Sequence, residues 1–322
     1  MYYANYICNI VANILPLSKL LCMTKDNFDV IIIGGSYAGL SAALSLGRSL
    51  RNVLVIDSGQ PCNRFTPHSH NFLTRDGEKP ADIAAQGKAD LQPYKTVAFH
   101  EDMAIQATHH QNSFSITTAS GATFNAKKLI MATGLKDLMP DIKGLDACWG
   151  KTVIHCPYCH GYEFAHATTG VIANGDGGFH YAEMLHNWTK DLTLFTHGAA
   201  SFSTEQLEKI NKKNIRIIET PVAAIEHENG QVKHITTKDG NTYPVTAVYH
   251  KATTMQHCDI PEQLGCALTE SGLLKVDEFR ETTVKGMYAC GDNSSMRSVA
   301  TAVYTGSMAG IMVNKALIEE GD

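Results

Sequence analysis

Positive charge is scarce in this 322-residue sequence. Lysine and arginine total 27 against 32 aspartates and glutamates, which gives a formal net charge of −5. A nucleic-acid-binding protein usually carries a basic surplus, so this balance argues against nucleic acid as a partner. Hydrophobic residues make up 44% of the chain and charged residues 18%, which is ordinary for a globular protein. The length is sufficient for two domains with sizeable cores.

The amino-terminal stretch lacks the marks of an export signal or a membrane span. Residues 1–22 are apolar and tyrosine-rich, but no positive charge precedes Lys19, whereas a signal peptide opens on a basic region. The apolar run is also too short and too broken to cross a bilayer. Met23 opens a stretch that reads as the start of a domain. We therefore expect residues 1–23 to be a disordered extension and the protein to be cytoplasmic, without a membrane partner.

Most of the nine cysteines are scattered, and their number is odd, which is not the pattern of a secreted disulfide framework. The exception is the pair Cys156 and Cys159 in C-P-Y-C. This spacing lets one thiolate attack a disulfide while the other thiol resolves the mixed disulfide. His160 follows directly and changes charge near neutral pH, so it is suited to exchange the proton that this chemistry requires. A reducing compartment with one redox-active pair fits these observations.

Three other roles for the pair remain open from the motif alone. Half of a zinc site needs two more ligands at short spacing, and the sequence has no second C-x-x-C. The string C-P-Y-C-H matches the attachment pattern of c-type haem, which requires an exported protein. Two unreactive structural cysteines are the third alternative. The nucleotide-binding patterns around the pair favour redox chemistry, and we expect no metal site.

A nucleotide-binding pattern opens at the buried-strand run Asp29–Ile33. It leads into G-G-S-Y-A-G at 34–39, a helical run from Leu40 to Leu50, and a second strand, Val53–Ile56, that ends at Asp57. The first glycine permits the tight turn, the last lets helix and strand pack closely, and the helix N-terminus receives a pyrophosphate. The acid would bind ribose hydroxyls. A serine replaces the usual middle glycine, and its small side chain still permits approach.

Further polar positions follow along the chain. Asn71 lies in the polar loop 61–80, which we expect to wrap a cofactor rather than hold a metal. The segment 135–144 is predicted to be a crossover linker because it contains a proline and a glycine. Near the end of the chain, Asp292 follows a strand and precedes the long helical run Ser298–Ile318. An acid placed there can bind a polyol hydroxyl, and capping a helix is its alternative role.

A second strand–turn–helix unit begins at Thr169, with its helix predicted from Phe179 to Trp188. Its first glycine position is Ala173, no acid ends its second strand, and no arginine occurs from 180 to 215. An NADPH site requires a glycine turn and arginines for the 2′-phosphate. The unit therefore has the pattern of a nicotinamide-nucleotide domain without its binding residues, and NADPH is expected to be a poor cofactor.

In this order, the patterns resemble the low-molecular-weight thioredoxin reductase family. The resemblance covers about residues 27–320 and rests on the turn at 34–39, Ala132-Thr133-Gly134, the C-P-Y-C pair and Cys290-Gly291-Asp292. It implies an α/β fold with two Rossmann-like, three-layer, doubly wound domains. The FAD domain would comprise residues 24–138 and 254–322, split by a domain of residues 139–253 that carries the dithiol. It also implies a homodimer.

The resemblance assigns roles to individual residues. The positions that would hold FAD are Gly34, Ser36, Gly39, Asp57, Asn71, Thr133, Gly134, Gly291 and Asp292. The last of these would contact the ribityl chain. Cys159 would be the thiol nearest the flavin, and Cys156 would attack an external disulfide.

The departures from the family narrow the prediction. The family usually has an aspartate where this chain has His160, and it has an NADPH motif that is missing here. C-P-Y-C-H-G-Y-E is similar to a divergent branch of fungal dithiol oxidases and bacterial flavoproteins, and ferredoxin-linked thioredoxin reductases share the loss of the NADPH site. We predict an FAD-dependent thiol/disulfide oxidoreductase that is not driven by NADPH. Its partner would be a thioredoxin-like protein, ferredoxin or a small-molecule dithiol. An NADPH-dependent thioredoxin reductase and a non-catalytic flavin sensor are the alternatives.

Overall fold

The computed structural model describes residues 26–321. The predicted extension, residues 1–23, lies outside the described residues. Within residues 26–321, no helix is both long and apolar enough to cross a membrane.

The first unit is built on a sheet of seven strands, counted over the described residues. They are β1 Asn27–Ile33, β2 Val53–Asp57, β3 Val97–Glu101, β4 Ala104–His110, β5 Ser113–Thr118, β6 Thr123–Met131 and β17 Met287–Ala289. The order β3-β2-β1-β6 is parallel. Strand β6 is long enough to pair twice on its other side, with the β4–β5 hairpin at its start and with β17 at its end.

Strand β1 is buried on both faces, as its unbroken apolar run predicts. Val30 and Ile32 face a core that includes helices α1 Tyr37–Arg48 and α8 Val299–Glu319. Ile31 and Ile33 face the opposite core. The two helices approach closely because Gly306 has no side chain, since a Cβ there would lie 2.1 Å from the Ala38 carbonyl oxygen. Helices α2 Pro80–Leu91 and α7 Ile260–Gln263 complete this unit.

The second unit has a parallel sheet in the order β11-β10-β9-β15-β8. Its strands are β8 Val153–Ile154, β9 Thr169–Ile172, β10 Leu192–Phe195, β11 Arg216–Ile218 and β15 Ala247–His250. A smaller antiparallel sheet contains β12 Val222–Glu228, β13 Gln231–Thr237 and β14 Thr242–Pro244. The helices of this unit are α3 Leu145–Cys148, α4 Pro157–His160, α5 Gly175–Leu185 and α6 Thr204–Lys212. The predicted α/β class with two Rossmann-like units is confirmed.

The two chain crossings between the units form a ribbon. Strand β7, Leu135–Leu138, pairs antiparallel with β16, Thr253–Gln256. The predicted crossover linker over 135–144 therefore begins with a strand, because two crossings that run side by side can pair their backbone groups. The domain boundaries given above stay a prediction.

The helix predicted over Phe179–Trp188 begins earlier than expected. Helix α5 begins at Gly175, so the glycine-rich stretch is its first turn rather than a loop. Asn174 makes this possible by accepting a hydrogen bond from the Gly175 backbone N–H at 2.8 Å, which stabilises a helix start despite the low helix propensity of glycine.

Candidate functional site

The turn between β1 and α1 has the close contacts that its glycines predict. A Cβ at Gly34 would lie 2.3 Å from the Ala132 carbonyl oxygen, and one at Gly39 would lie 1.8 Å from the Gly34 carbonyl oxygen. The backbone φ of Gly34 is +106°, a value that favours glycine. The turn is therefore packed directly against the end of β6.

This packing predicts a stability defect for Gly39→Ala. The new methyl group would meet backbone rather than a flexible side chain, so we expect a loss of about 1–3 kcal/mol or more in the free energy of unfolding. Gly177→Ala is the matched control, since a Cβ there meets nothing within 4 Å and alanine favours the helix interior. Thermal unfolding of both variants checks this: equal melting temperatures would contradict the assigned contact.

Asp57 lies against the same turn. Its Oδ1 accepts a hydrogen bond from the Gly35 backbone N–H at 3.0 Å. Ser36 is the N-cap of α1, and its side chain makes no capping hydrogen bond, so it leaves the first amides of the helix open to a ligand. A phosphate group at this helix end and a ribose at the acid fit this chemistry.

A large cavity opens beside this turn, between the two units. Residues of both units line it, and it extends from the N-terminus of α1 to the dithiol. The predicted residues that line it are Ser36, Asn71, Thr133, Gly134, Cys159, His160, Gly291 and Asp292. Gly34, Gly39, Asp57 and Cys156 are not in its lining. The residues present fit FAD, because one continuous space joins the turn to the dithiol.

Cys156 and Cys159 form a disulfide with a Cα–Cα distance of 5.3 Å. Cys156 is the N-cap of the short helix α4, and its carbonyl oxygen accepts from the backbone N–H groups of Cys159 and His160, both at 3.2 Å. Only Cys159 of the pair faces the cavity. Between them, Tyr158 is 66% exposed and makes an edge contact with the Trp188 ring, with centroids 5.6 Å apart. The two sulfurs therefore have different surroundings.

His160 is mostly buried beside the disulfide. Burial lowers the pKa of His160, the Glu163 carboxylate raises it, and His70 lowers it; the net shift is downward. The imidazole is therefore neutral at neutral pH and has a free nitrogen that can accept a proton. His155, which immediately precedes the pair and also lines the cavity, is more strongly affected, since burial and the charge of Arg297 lower its pKa to about 4.

Asp292 belongs to a buried network of charged groups that the sequence did not indicate. The Arg297 guanidinium donates to both oxygens of Asp137, at 2.6 and 3.3 Å, and its Nε lies 3.6 Å from Asp292 Oδ2. The Cys62 thiol donates to the same Asp292 oxygen at 3.6 Å. Burial raises the pKa of Asp292 and raises that of Cys62 to about 11. Helix α8 is capped by Ser298, so capping this helix is not the role of Asp292.

The corresponding turn in the second unit is occupied by the protein's own groups. Asn174 Oδ1 accepts from Ser201 N and Oγ at 2.9 and 3.1 Å, and its Nδ2 donates to the Ala199 carbonyl at 2.8 Å. The Ala200 backbone N–H donates to a carboxylate oxygen of Glu219 at 2.7 Å. The loop after β10 is therefore folded onto the N-terminus of α5, with an acid beside it.

Several residues at the site were missed because their role depends on distant contacts. His70, His155, Arg297, Asp137 and Cys62 all line the cavity. For His155 a signal was present, since it stands directly before Cys156. Arg297 and Asp137 are 160 positions apart, and no local pattern joins them.

Comparison with known proteins places these features in a family context. Residues 28–306 match the family model described as pyridine nucleotide-disulphide oxidoreductase. The chain is 32% identical over 312 residues to thioredoxin reductase tcpT of Claviceps purpurea, covering 92% of this chain and 96% of that one. Thioredoxin reductase sirT of Leptosphaeria maculans is 30% identical, with 89% and 93% covered. A solved oxidoreductase from Agrobacterium tumefaciens matches with a TM-score of 0.86 at 36% identity, covering 91% of this chain and 99% of that one.

Proposed function

The chain belongs to the pyridine nucleotide-disulphide oxidoreductase family as a thioredoxin reductase-like, FAD-dependent enzyme, and we propose that the Cys156–Cys159 pair exchanges electrons between FAD and an external thiol or disulfide. The resemblance to low-molecular-weight thioredoxin reductases is confirmed. One observation carries the proposal: Cys159 lines the same cavity as Ser36, Thr133 and Asp292.

The exchange balances as two successive thiol–disulfide displacements. With the pair reduced, the Cys156 thiolate attacks the external disulfide and one external thiol leaves with a proton. The Cys159 thiolate then attacks the Cys156 sulfur, which releases the second thiol and closes the Cys156–Cys159 disulfide. Two electrons and two protons pass to the substrate. An external dithiol reduces the pair by the same steps in reverse. FAD would supply a two-electron carrier in the cavity that Cys159 lines.

The predicted FAD-binding residues form groups according to the part of the cofactor that each would contact. Gly34, Ser36, Gly39 and Asp57 would receive the pyrophosphate and adenosine ribose. Asp292, fixed by the Arg297 guanidinium, would accept hydrogen bonds from polyol hydroxyls. Asn71, Thr133, Gly134 and Gly291 would line the remaining wall.

His160 is proposed to hold the exchanging proton. Its neutral imidazole can accept a proton from a thiol as the pair closes and return it as the pair opens. We expect His160→Ala to lower kcat about 10²-fold, the scale of a lost general acid–base. Steady-state rates in air-saturated buffer, with dithiothreitol as the dithiol and O₂ as the electron acceptor, check this. His110→Ala is the control because His110 is exposed and does not line the cavity. An unchanged rate would make His160 a structural residue.

NADPH is not proposed as the driving donor. This is supported by the hydrogen bonds of Asn174 and the carboxylate of Glu219, which lie at the turn of the second unit that corresponds to the one between β1 and α1. A thioredoxin-like protein, ferredoxin or a small-molecule dithiol remains the proposed partner, and the relatives named thioredoxin reductases favour the first of these. Because these relatives are named thioredoxin reductases, an NADPH-dependent thioredoxin reductase is the second candidate function. The homodimer and the cytoplasmic location stay predictions.

Anaerobic mixing tests the proposal. Purified protein is combined separately with dithiothreitol, NADPH and NADH while the flavin absorbance is recorded. The proposal predicts bleaching by the dithiol and little by either nucleotide. Bleaching by NADPH followed by thioredoxin reduction would favour the second candidate. A firmly bound flavin that no dithiol reduces would indicate a sensor, and a colourless protein would contradict the proposal altogether.

A further inference from the structure

Groups from both units meet at His160, and we propose that His70, paired with Glu163, is a positioning residue that sets the proton affinity of His160. The inference rests on the proposed function, in which His160 holds the exchanging proton. Its basis is a cluster of titratable side chains across the interface between the loop 61–80 and the segment after the dithiol.

The geometry of the cluster is well defined. His70 Nε2 lies 3.5 Å from a carboxylate oxygen of Glu163, and its Nδ1 lies 3.7 Å from Asp76 Oδ1. The His70 ring meets the His160 ring edge-on, with centroids 6.1 Å apart and an interplanar angle of 86°. His70 is thus placed between two carboxylates, with the imidazole of His160 against its ring.

The loop that carries His70 is held from both sides. The Ser69 backbone N–H donates to the Glu78 carbonyl at 2.7 Å, and the Gly77 N–H donates to the Ser69 carbonyl at 2.8 Å. The Asn71 N–H donates to Asp76 Oδ1 at 2.7 Å. These bonds flank position 70 directly, so the imidazole is presented by a closed loop rather than by an unconstrained one.

The groups that face His160 have opposite effects on its pKa. Glu163 lies on the segment that follows His160, His70 comes from the loop of the other unit, and His155 lies on the chain just before the pair. The Glu163 carboxylate raises the pKa of His160 and His70 lowers it, while His160 lowers the pKa of His155. Pairing of His70 with Glu163 therefore partly cancels the carboxylate, which keeps His160 neutral and able to accept a proton.

This arrangement makes a signed prediction for two single variants. His70→Asn removes the opposing group, so the pKa of His160 rises and the acid limb of the kcat–pH profile moves to higher pH. Glu163→Gln removes the carboxylate, so the pKa falls and the limb moves to lower pH. The double variant His70→Asn/Glu163→Gln returns the limb toward its wild-type position. A purely structural role for either residue would not produce opposite shifts.

The experiment uses the FAD-bound enzyme with dithiothreitol as the dithiol and O₂ as the electron acceptor. The pH is varied from about 5 to 9, which spans the range where histidine titrates. His110→Asn is the matched histidine control, and melting temperatures verify that each variant is folded. NMR titration of the His160 imidazole in the same proteins measures the shift without turnover. Opposite shifts in the two variants support the inference, and unshifted or parallel titrations overturn it. If the two variants show opposite NMR shifts while the wild-type protein turns over no dithiol, only the proposed function is contradicted.

Discussion

Cys159→Ser is expected to abolish dithiol turnover and to remove any long-wavelength charge-transfer absorbance, while FAD stays bound. Cys156→Ser is expected to abolish turnover as well but to leave that absorbance, because Cys159 is then a free thiol on the cavity wall. The reason for the asymmetry is structural: Cys159 lines the cavity and Cys156 does not. A mixed disulfide formed at one sulfur cannot resolve without the other, so each single change blocks the full cycle.

Anaerobic spectra, together with turnover of dithiothreitol in air-saturated buffer with O₂ as the electron acceptor, check this pair of variants. Cys148→Ser is the control, since Cys148 is a buried free thiol of the second unit that does not line the cavity, and it should keep both turnover and flavin. Identical spectra for Cys156→Ser and Cys159→Ser would show that the two roles are wrongly assigned.

NADPH is expected to reduce the flavin poorly. A 2′-phosphate carries close to two negative charges and is normally met by arginine forks. The segment from His197 to Ala200 supplies no permanent positive charge, and Glu219 accepts a hydrogen bond from it at 2.7 Å. Loss of two charge-assisted contacts, at about 1.5–3 kcal/mol each, weakens binding about 10²–10⁴-fold.

Stopped-flow mixing measures this directly. The expected trace shows no saturable bleaching by NADPH at low micromolar concentration and a clear bleaching by dithiothreitol in the same preparation. NADH serves as the matched control because it lacks the 2′-phosphate. If Asn174 and Ser201 block the whole turn, NADH should reduce the flavin as poorly as NADPH does. Saturable bleaching by micromolar NADPH would overturn the expectation and make the second candidate function the better account.

The parts of the fold that sequence could predict are those fixed by short-range sterics. The turn at 34–39 is recognisable because the spacing of Gly34 and Gly39 reflects contacts within one strand–turn–helix unit. Asp57 is predictable from the same pattern, because it ends the next strand along the chain. The start of α5 at Gly175 was missed although its cause is also local, since glycine normally weakens a helix and the side chain of Asn174 compensates by capping it.

The remainder of the site depends on contacts between distant segments. The pairing of β7 with β16 requires two chain crossings to run side by side. Arg297 reaches Asp137 across 160 positions, and His70 meets Glu163 only because the two units face each other. No periodicity or spacing in either segment carries that information, so the sequence alone indicated His160 but not the groups that surround it.

Counting electrons in an anaerobic titration tests the central claim most directly. Purified FAD-bound protein is titrated with dithionite while the flavin band is recorded. If the Cys156–Cys159 disulfide and the flavin share one redox centre, the wild type takes up about four electrons per FAD, whereas Cys159→Ser takes up about two. A wild-type protein that takes up only about two, with the disulfide still intact afterwards, would contradict the account.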